Sequence, residues 1–401
     1  MPDAPTPDHI PRRSTTMTGT LNTFGRDNRP VCILGLGLIG GSLLRDLTAQ
    51  GWTVFGWNRS AGPADAARSE GFDASTDLVG TLRRAADTDA LVVLAVPVPA
   101  LDGLLGHLAE HAPDCGFTDV TSVKAQVLDL VAAHGMSHRF VGGHPMAGTA
   151  DSGWAATVDG LFTGCVWVVT YDNAPVEDVP VEDESPLYPT NPRAAEYEYI
   201  LRDVSPEAPQ AAAGNGTSNP YSTRRDAERQ WLDVWRRVVR MASAVGAVVV
   251  PARARKHDHA VARVSHLPHV LAEALAVTGD QGGALTLSLA ASSFRDGTRV
   301  AGTDPALVRA MCENNREALA GVLDEAIQLL TAAREDIASP DRDIRVLAEA
   351  GHSSRLRFEA RAGRTPGEPS NRPIIRVRPG APGWLDQLRY AESIGAQIGV
   401  F

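Results

Sequence analysis

Three short stretches of this 401-residue chain combine chemistry-bearing side chains with glycine: GLGLIGGS from Gly35, GGHPMAG from Gly142, and SHLPH from Ser265. In the first, Gly35, Gly37 and Gly40 form G-x-G-x-x-G between an apolar run and a helical one. Gly35 permits a tight turn, Gly37 lets a pyrophosphate approach the backbone, and Gly40 allows close packing of helix on strand. A helix opening at Leu38 and Ile39 offers free N–H groups and a positive dipole end to phosphates. The competing reading is a glycine-rich turn needed only for packing.

The next apolar run ends in VFGWNRS, where a site for NAD usually carries an acid that accepts from the ribose 2′-hydroxyl. Asn58, Arg59 and Ser60 stand there instead. Without the carboxylate there is no repulsion of a 2′-phosphate, and an arginine fork attracts one, so NADP is favoured over NAD. Val96, the last residue of the strand run ALVVLAV, and Pro97 after it are placed at the same crevice. In DVTSVKAQV, Ser122 and Lys124 follow another strand and so belong near the nicotinamide end; alternatively Thr121 or Ser122 is simply a helix N-cap. His144 emerges after RFVGG on a glycine-rich turn that Pro145 stiffens. An imidazole there can take a proton from a hydroxyl as hydride leaves the same carbon, or it is a satisfied structural histidine.

These residues need a scaffold. Between residues 29 and 171 the runs VCILGL, WTVFGW, ALVVLAV, GFTDV, RFVGG and CVWVVT alternate with helical stretches, which predicts a doubly wound, mostly parallel sheet. Residues 172–225 turn acidic and rich in Pro, Ala and Gly, as a partly disordered insertion would. Helical periodicity then runs over 226–340, with more apolar residues than one surface-facing stripe requires, so an all-α domain that packs against a second copy is expected. Residues 341–401 end as strand, helix and strand, a regulatory module, an oligomer edge or a strap. Residues 1–28 are Pro- and Thr-rich without the apolar segment of a signal peptide, and Met17 is a candidate start.

A net charge of −10 and the absence of Lys/Arg blocks argue against nucleic-acid or membrane partners, leaving small-molecule chemistry. Cys32, Cys115, Cys165 and Cys312 lie far apart, as in a reduced cytoplasmic protein. His257, His259, His266 and His269 fall close together, but no matching Cys or carboxylate pattern accompanies them, and no metal is expected.

Taken in order, GLGLIGGS, DVTSVK, GGHPMAGTADSG, HDHAVARVSHLPH and SFRDGTRVAGTDP resemble the prephenate and arogenate dehydrogenase family of tyrosine biosynthesis, over about Val31 to Arg334. The resemblance implies a Rossmann domain, a helical dimerisation domain and an active site between them, in a homodimer that uses NAD(P). It places the catalytic histidine on His144 and an orienting serine on Ser122. It also places a carboxylate-binding arginine on Arg299, a bracing acid on Asp296, and His266 and His269 in the substrate pocket. The expected reaction is oxidative decarboxylation of prephenate, with arogenate as the alternative substrate. An acid at Asp151 would bear on that choice, and tyrosine feedback through the C-terminal module is a further expectation. A 3-hydroxyacid dehydrogenase and a cofactor-sensing protein without turnover remain as the competing readings.

Overall fold

In β1 (Val31–Leu34), Val31 and Ile33 enter one core while Cys32 and Leu34 enter another, and all four are buried. A strand covered on both faces has no place for a polar side chain, which is why VCIL reads as an unbroken apolar run. The protein is described here by a computed structural model over residues 29–148, 153–175, 220–362 and 371–401. Its first half continues as α1 (Leu38–Ala49), β2 (Val54–Trp57), α2 (Ala61–Ser69), β3 (Ala74–Ser75), α3 (Leu78–Asp87) and β4 (Leu91–Leu94). Then come α4 (Leu101–His111), β5 (Phe117–Asp119), α5 (Ala125–Ala133) and β6 (Phe140–Val141).

These strands form one parallel sheet in the order β3-β2-β1-β4-β5-β6, with Val31 opposite Val54 on one side and Leu91 on the other. The order reverses between β1 and β4, and the carboxyl ends of those strands therefore open a crevice suited to a dinucleotide. Leu43, Leu44 and Leu47 of α1 close one face; Leu82 of α3 and Leu101, Leu105 and Leu108 of α4 close the other. Each such leucine contributes about 1.5–3 kcal/mol by leaving water.

CVWVVT does not join this sheet. It forms β8 (Val166–Thr170) in a separate three-stranded sheet, antiparallel to β7 (Gly143–Pro145) and parallel to β9 (Val248–Ala252). β9 also corrects the expectation that everything from 226 is helical: AVVVPA is β-branched, and Val248 pairs with Val166. The helix before it, α6 (Pro220–Ala244), turns Trp231, Val234, Trp235 and Val238 into the core of the first half. Trp231 Nε1 donates to the Phe140 carbonyl at 3.0 Å, and Asp233 accepts both Arg29 Nη atoms at 2.8 Å. Residues up to Ala252 therefore pack with the dinucleotide-type sheet.

The remaining helices are α7 (Ala254–Val261), α8 (Leu267–Asp280), α9 (Gly283–Ser288), α10 (Ser292–Thr298), α11 (Pro305–Glu313), α12 (Arg316–Ala338) and α13 (Arg345–Ala362). The last of these carries the helical run past the end expected near residue 340. Among the described residues, α8 to α13 bury only a few small or medium side chains, including Ala272, Ala318 and Val322. Leu285, Leu289 and Ile337 stay more than 70% exposed. The chain ends in β10 (Ile374–Val377), α14 (Trp384–Ile394) and β11 (Gln397–Val400), with the two strands parallel. Trp384, Leu385 and Leu388 of α14 join the same core as Trp235. Among the described residues, no helix is long and apolar enough to cross a membrane.

Candidate active site

The crevice at β1 and β4 is a cleft of about 700 Å³ that gathers Gly35, Gly37, Asn58, Arg59, Ser60, Val96 and Pro97. Its floor is shaped by glycine. Gly35 sits at φ +110°, where a side chain would be strained, and a Cβ there would run into the Ala95 carbonyl. Gly37 faces open space, room that a pyrophosphate could fill, whereas Gly40 is buried against Gly35 and Ala95 and serves the helix–strand contact. Leu38 and Ile39 open α1, so their N–H groups have no partner within the helix. These residues fit a dinucleotide.

Asn58 lines this cleft and also braces it. Its Oδ1 accepts the Leu36 N–H at 3.0 Å and its Nδ2 donates to the Ser60 carbonyl at 3.0 Å, which ties the glycine loop to the end of β2. Arg59 is exposed at the rim with no partner among the described residues.

A second cavity, of about 520 Å³, lies between the two halves of the chain. Ser122 and His144 line it from the first half; His266, His269, Arg299 and Met311 line it from the second. His144 stands on strand β7, opposite Val168, and not on a free turn. The glycine before it is required for packing: a Cβ on Gly143 would press on the Asp119 carbonyl and on Trp167 Nε1.

The bonding around His144 sets its tautomer. Asp258 Oδ1 accepts from His257 Nδ1 at 2.8 Å, so His257 Nε2 is left as an acceptor. His257 Nε2 in turn accepts a hydrogen bond from His144 Nδ1–H at 2.8 Å. The His144 Nε2 lone pair is thereby left available as a base. Burial, and then the nearby His257, Lys124 and His266, hold the His144 pKa well below its ordinary 6.5, so the ring is neutral at physiological pH. Against the cost of burial, hydrogen bonds from His257 and from the Ala125 N–H keep Asp258 below the usual carboxylate value.

Asp258 does a second job. Its two oxygens accept the Lys124 and Ala125 N–H groups at 2.8 Å each and so cap α5 from across the chain. Neither Thr121 nor Ser122 is that cap. Lys124 also departs from expectation: it is 1% exposed, and its ammonium is held by Asp119, by Thr121 and by the Gly143 carbonyl at 2.7 Å. It packs behind the strand that carries His144 and is not among the residues that line the cavity.

His266 and His269 were expected in the pocket and line it. An uninterrupted α-helix, at about 3.6 residues per turn, would put residues nine apart, such as His257 and His266, on opposite faces. A π-helical turn over Ala262–His266 changes that rotation, and His266 remains on the site side. Its Nδ1 accepts from Asn315 Nδ2 at 3.1 Å, which leaves the proton on Nε2, and burial lowers its pKa to about 4. His269 Nδ1 donates to the Ser265 carbonyl at 2.9 Å, leaving Nε2 as an acceptor.

Arg299 opens the short turn Arg299–Gly302 and lines the cavity without a partner among the described residues. Asp296 does not brace it: that side chain is exposed on α10, and among the described residues no bond joins the two. Asp151 lies outside the described residues. No group of three metal-ligating side chains occurs among the described residues.

Sequence reasoning missed the positioning roles of His257, Asp258 and Asn315. The first two stood in view beside one another in HDH, but their bonds to His144 and α5 span more than a hundred residues. Asn315, in ENNRE, carries no local signal.

Comparison with known proteins adds to this geometry. Residues 43–179 match the family model for the prephenate dehydrogenase nucleotide-binding domain, and residues 253–350 match that for the prephenate dehydrogenase dimerization domain. The cyclohexadienyl dehydrogenase of Zymomonas mobilis is 31% identical over 321 residues, covering 78% of this chain and 90% of its own. A crystal structure from Corynebacterium glutamicum, provisionally named a prephenate dehydrogenase, is 50% identical with a TM-score of 0.76, covering 93% of this chain and 99% of that one. The Aquifex aeolicus prephenate dehydrogenase, solved with hydroxyphenyl propionate and NAD+, shares the fold at 22% identity and a TM-score of 0.60, over 84% of this chain and 99% of that one.

Proposed function

The chain belongs to the prephenate dehydrogenase family of NAD(P)-dependent dehydrogenases, and from that premise we propose that it oxidatively decarboxylates prephenate to 4-hydroxyphenylpyruvate, with His144 as proton acceptor. The observation that carries this reading is the free Nε2 of a neutral His144 facing a cavity whose other wall presents Arg299.

The substrate is a cyclohexadienol with a ring carboxylate and a pyruvyl side chain. Arg299 binds one carboxylate through its planar fork, and Ser122 orients the C4 hydroxyl beside His144. A dinucleotide held with its pyrophosphate at Gly35 and Gly37 would supply the hydride acceptor at its nicotinamide end. As C4 is oxidised, His144 Nε2 takes the hydroxyl proton, and the charge it gains is stabilised through His257 by Asp258. The C1–carboxylate bond then breaks, its electron pair enters the ring, and His144 returns the proton to the ring oxygen. Aromatisation drives this second half. His266, through Nε2–H, donates to an oxygen of the rest of the substrate, and His269 lines the same wall.

Prephenate is preferred to arogenate because, among the described residues, no carboxylate lines the cavity to meet an ammonium. NADP is preferred to NAD because, among the described residues, Arg59 at the end of β2 has no partner and no acid lines the cleft beside it. The exposed leucines of α8 to α12 support a homodimer closed over these helices, in keeping with the dimerization-domain match. The four cysteines are free thiols, which supports a reducing compartment, the cytoplasm.

The test is the initial rate of reduced-cofactor formation with prephenate and with arogenate, each against NAD and NADP. The largest rate is expected with prephenate and NADP. A larger rate with arogenate would reassign the side chain recognised, and no rate in any combination, with cofactor bound, would sink the reading.

A further inference from the structure

We propose that Glu392, on helix α14 of the C-terminal strand–helix–strand, is a positioning residue for the proton-accepting imidazole and acts through helix α7. Neither family match reaches this module, since they end at residues 179 and 350. The inference rests on the reading of His144 as the base.

Glu392 is 7% exposed although it is charged and belongs to the last helix of the chain. One oxygen accepts the Arg253 backbone N–H at 2.6 Å; the other accepts Arg253 Nε at 3.1 Å and Nη2 at 3.0 Å. Arg253 is the N-cap residue of α7 and has no side-chain acceptor of its own to offer that helix. A carboxylate from elsewhere in the chain therefore holds the start of α7, where a negative charge also complements the helix dipole. Asp172, just after β8, accepts the next N–H, that of Ala254, at 3.0–3.1 Å from its two oxygens. Two carboxylates from separate parts of the protein thus set the axial position of a helix only eight residues long.

That helix carries the two groups that orient His144. His257 lies about one turn beyond the clamped residue, and Asp258 follows it. A shift or rotation of α7 would move His257 Nε2 away from His144 Nδ1, now at 2.8 Å, and withdraw the Asp258 cap from α5. The anchor itself is packed into the core. α14 buries Trp384, Leu385, Leu388 and Ala391, and Trp384 packs edge-on against Trp235 of α6 at 5.3 Å between ring centroids. The C-terminal module thereby fixes a helix end, and that end fixes the imidazole.

The experiment compares Glu392→Gln with the parent enzyme, and repeats the substitution in a His257→Asn background. In the parent background, kcat is expected to fall about ten- to a hundredfold, the upper figure being the scale of a misplacement of about 1 Å caused far from the chemistry, with KM within about twofold. In the His257→Asn background the same substitution is expected to change kcat little, because the residue it acts through is gone. Should Glu392→Gln fail to fold, Glu392→Asp, which keeps the charge on a shorter arm, is read in the same two backgrounds and must show the same non-additivity.

A lowered melting temperature with unchanged kcat would mean that Glu392 only fastens the module and would overturn the proposal. An equal fall in both backgrounds would overturn it as well. The two readings fail separately: near-normal turnover of His144→Asn removes the base and this inference with it. Loss of turnover in His144→Asn, together with an unaffected Glu392→Gln, removes this inference alone.

Discussion

The two clefts of this protein are built in opposite ways. The cofactor cleft draws its lining from one continuous stretch, Gly35 to Leu104, in which each loop follows its strand directly. The catalytic cavity draws on residues from Ser122 to Met311, and its central hydrogen bond joins residues 113 apart. A cleft made from neighbouring loops needs only that each strand and helix form. A cleft made from two halves needs their relative placement as well, and here a buried carboxylate of the second half contributes to it: Asp258 caps α5 from across the chain, while within the first half Asp119 holds Lys124 behind His144. Breaking one of these buried pairs would leave an uncompensated charge, which is far more costly than losing a surface pair.

The strongest test of this contrast is His144→Asn. It should lower kcat by about a hundredfold or more, the scale of a general base, and leave cofactor affinity unchanged, because the cofactor cleft is separately built. In the parent enzyme, log(kcat/KM) against pH should show its acid limb below 6.5. The His144 pKa is lowered, so the basic form persists as pH falls through 6.5 and is lost only further down. An inflection at or above 6.5 would place the base in a more solvated site.

Arg299→Gln should act within the assembled cavity alone. Loss of a charge-assisted hydrogen bond, about 1.5–3 kcal/mol, corresponds to a rise in KM for prephenate of about ten- to a hundredfold, with kcat changed much less. An unchanged KM would move the carboxylate site elsewhere. The smallest effect belongs to the continuous cleft. Arg59→Gln, at an exposed position, should lower the preference for NADP over NAD by about tenfold at most while leaving KM for prephenate alone. If the KM for prephenate also moved, the two clefts would not be independent.

Legibility in the sequence follows the same division. The parallel strands are readable from apolar runs because both sheet faces are covered, and the glycine loop is readable because the geometry at Gly35 and Gly40 excludes a side chain while Gly37 keeps open the space a phosphate needs. His144, Ser122 and Arg299 were readable as candidates and do meet in one cavity. Lys124 was misplaced because nothing local distinguishes a lysine turned toward substrate from one buried on Asp119. β9 was taken into the helical stretch because its partner, β8, lies some eighty residues earlier and could not be inferred from AVVVPA alone.

What the sequence determined by itself was periodicity and local backbone permission: a two-faced sheet, a glycine loop at a helix start, and an amphipathic helical half too apolar for one copy to cover. What only the tertiary structure decided was which nitrogen of His144 is left with a free lone pair. That choice depends on a proton held in sequence by Asp258, His257 and His144, and on helix ends held by Asp258 and Glu392. Hydrogen bonds of a few ångströms between residues more than a hundred apart leave no mark on spacing, because the chain between them is free to take any length that lets the ends meet.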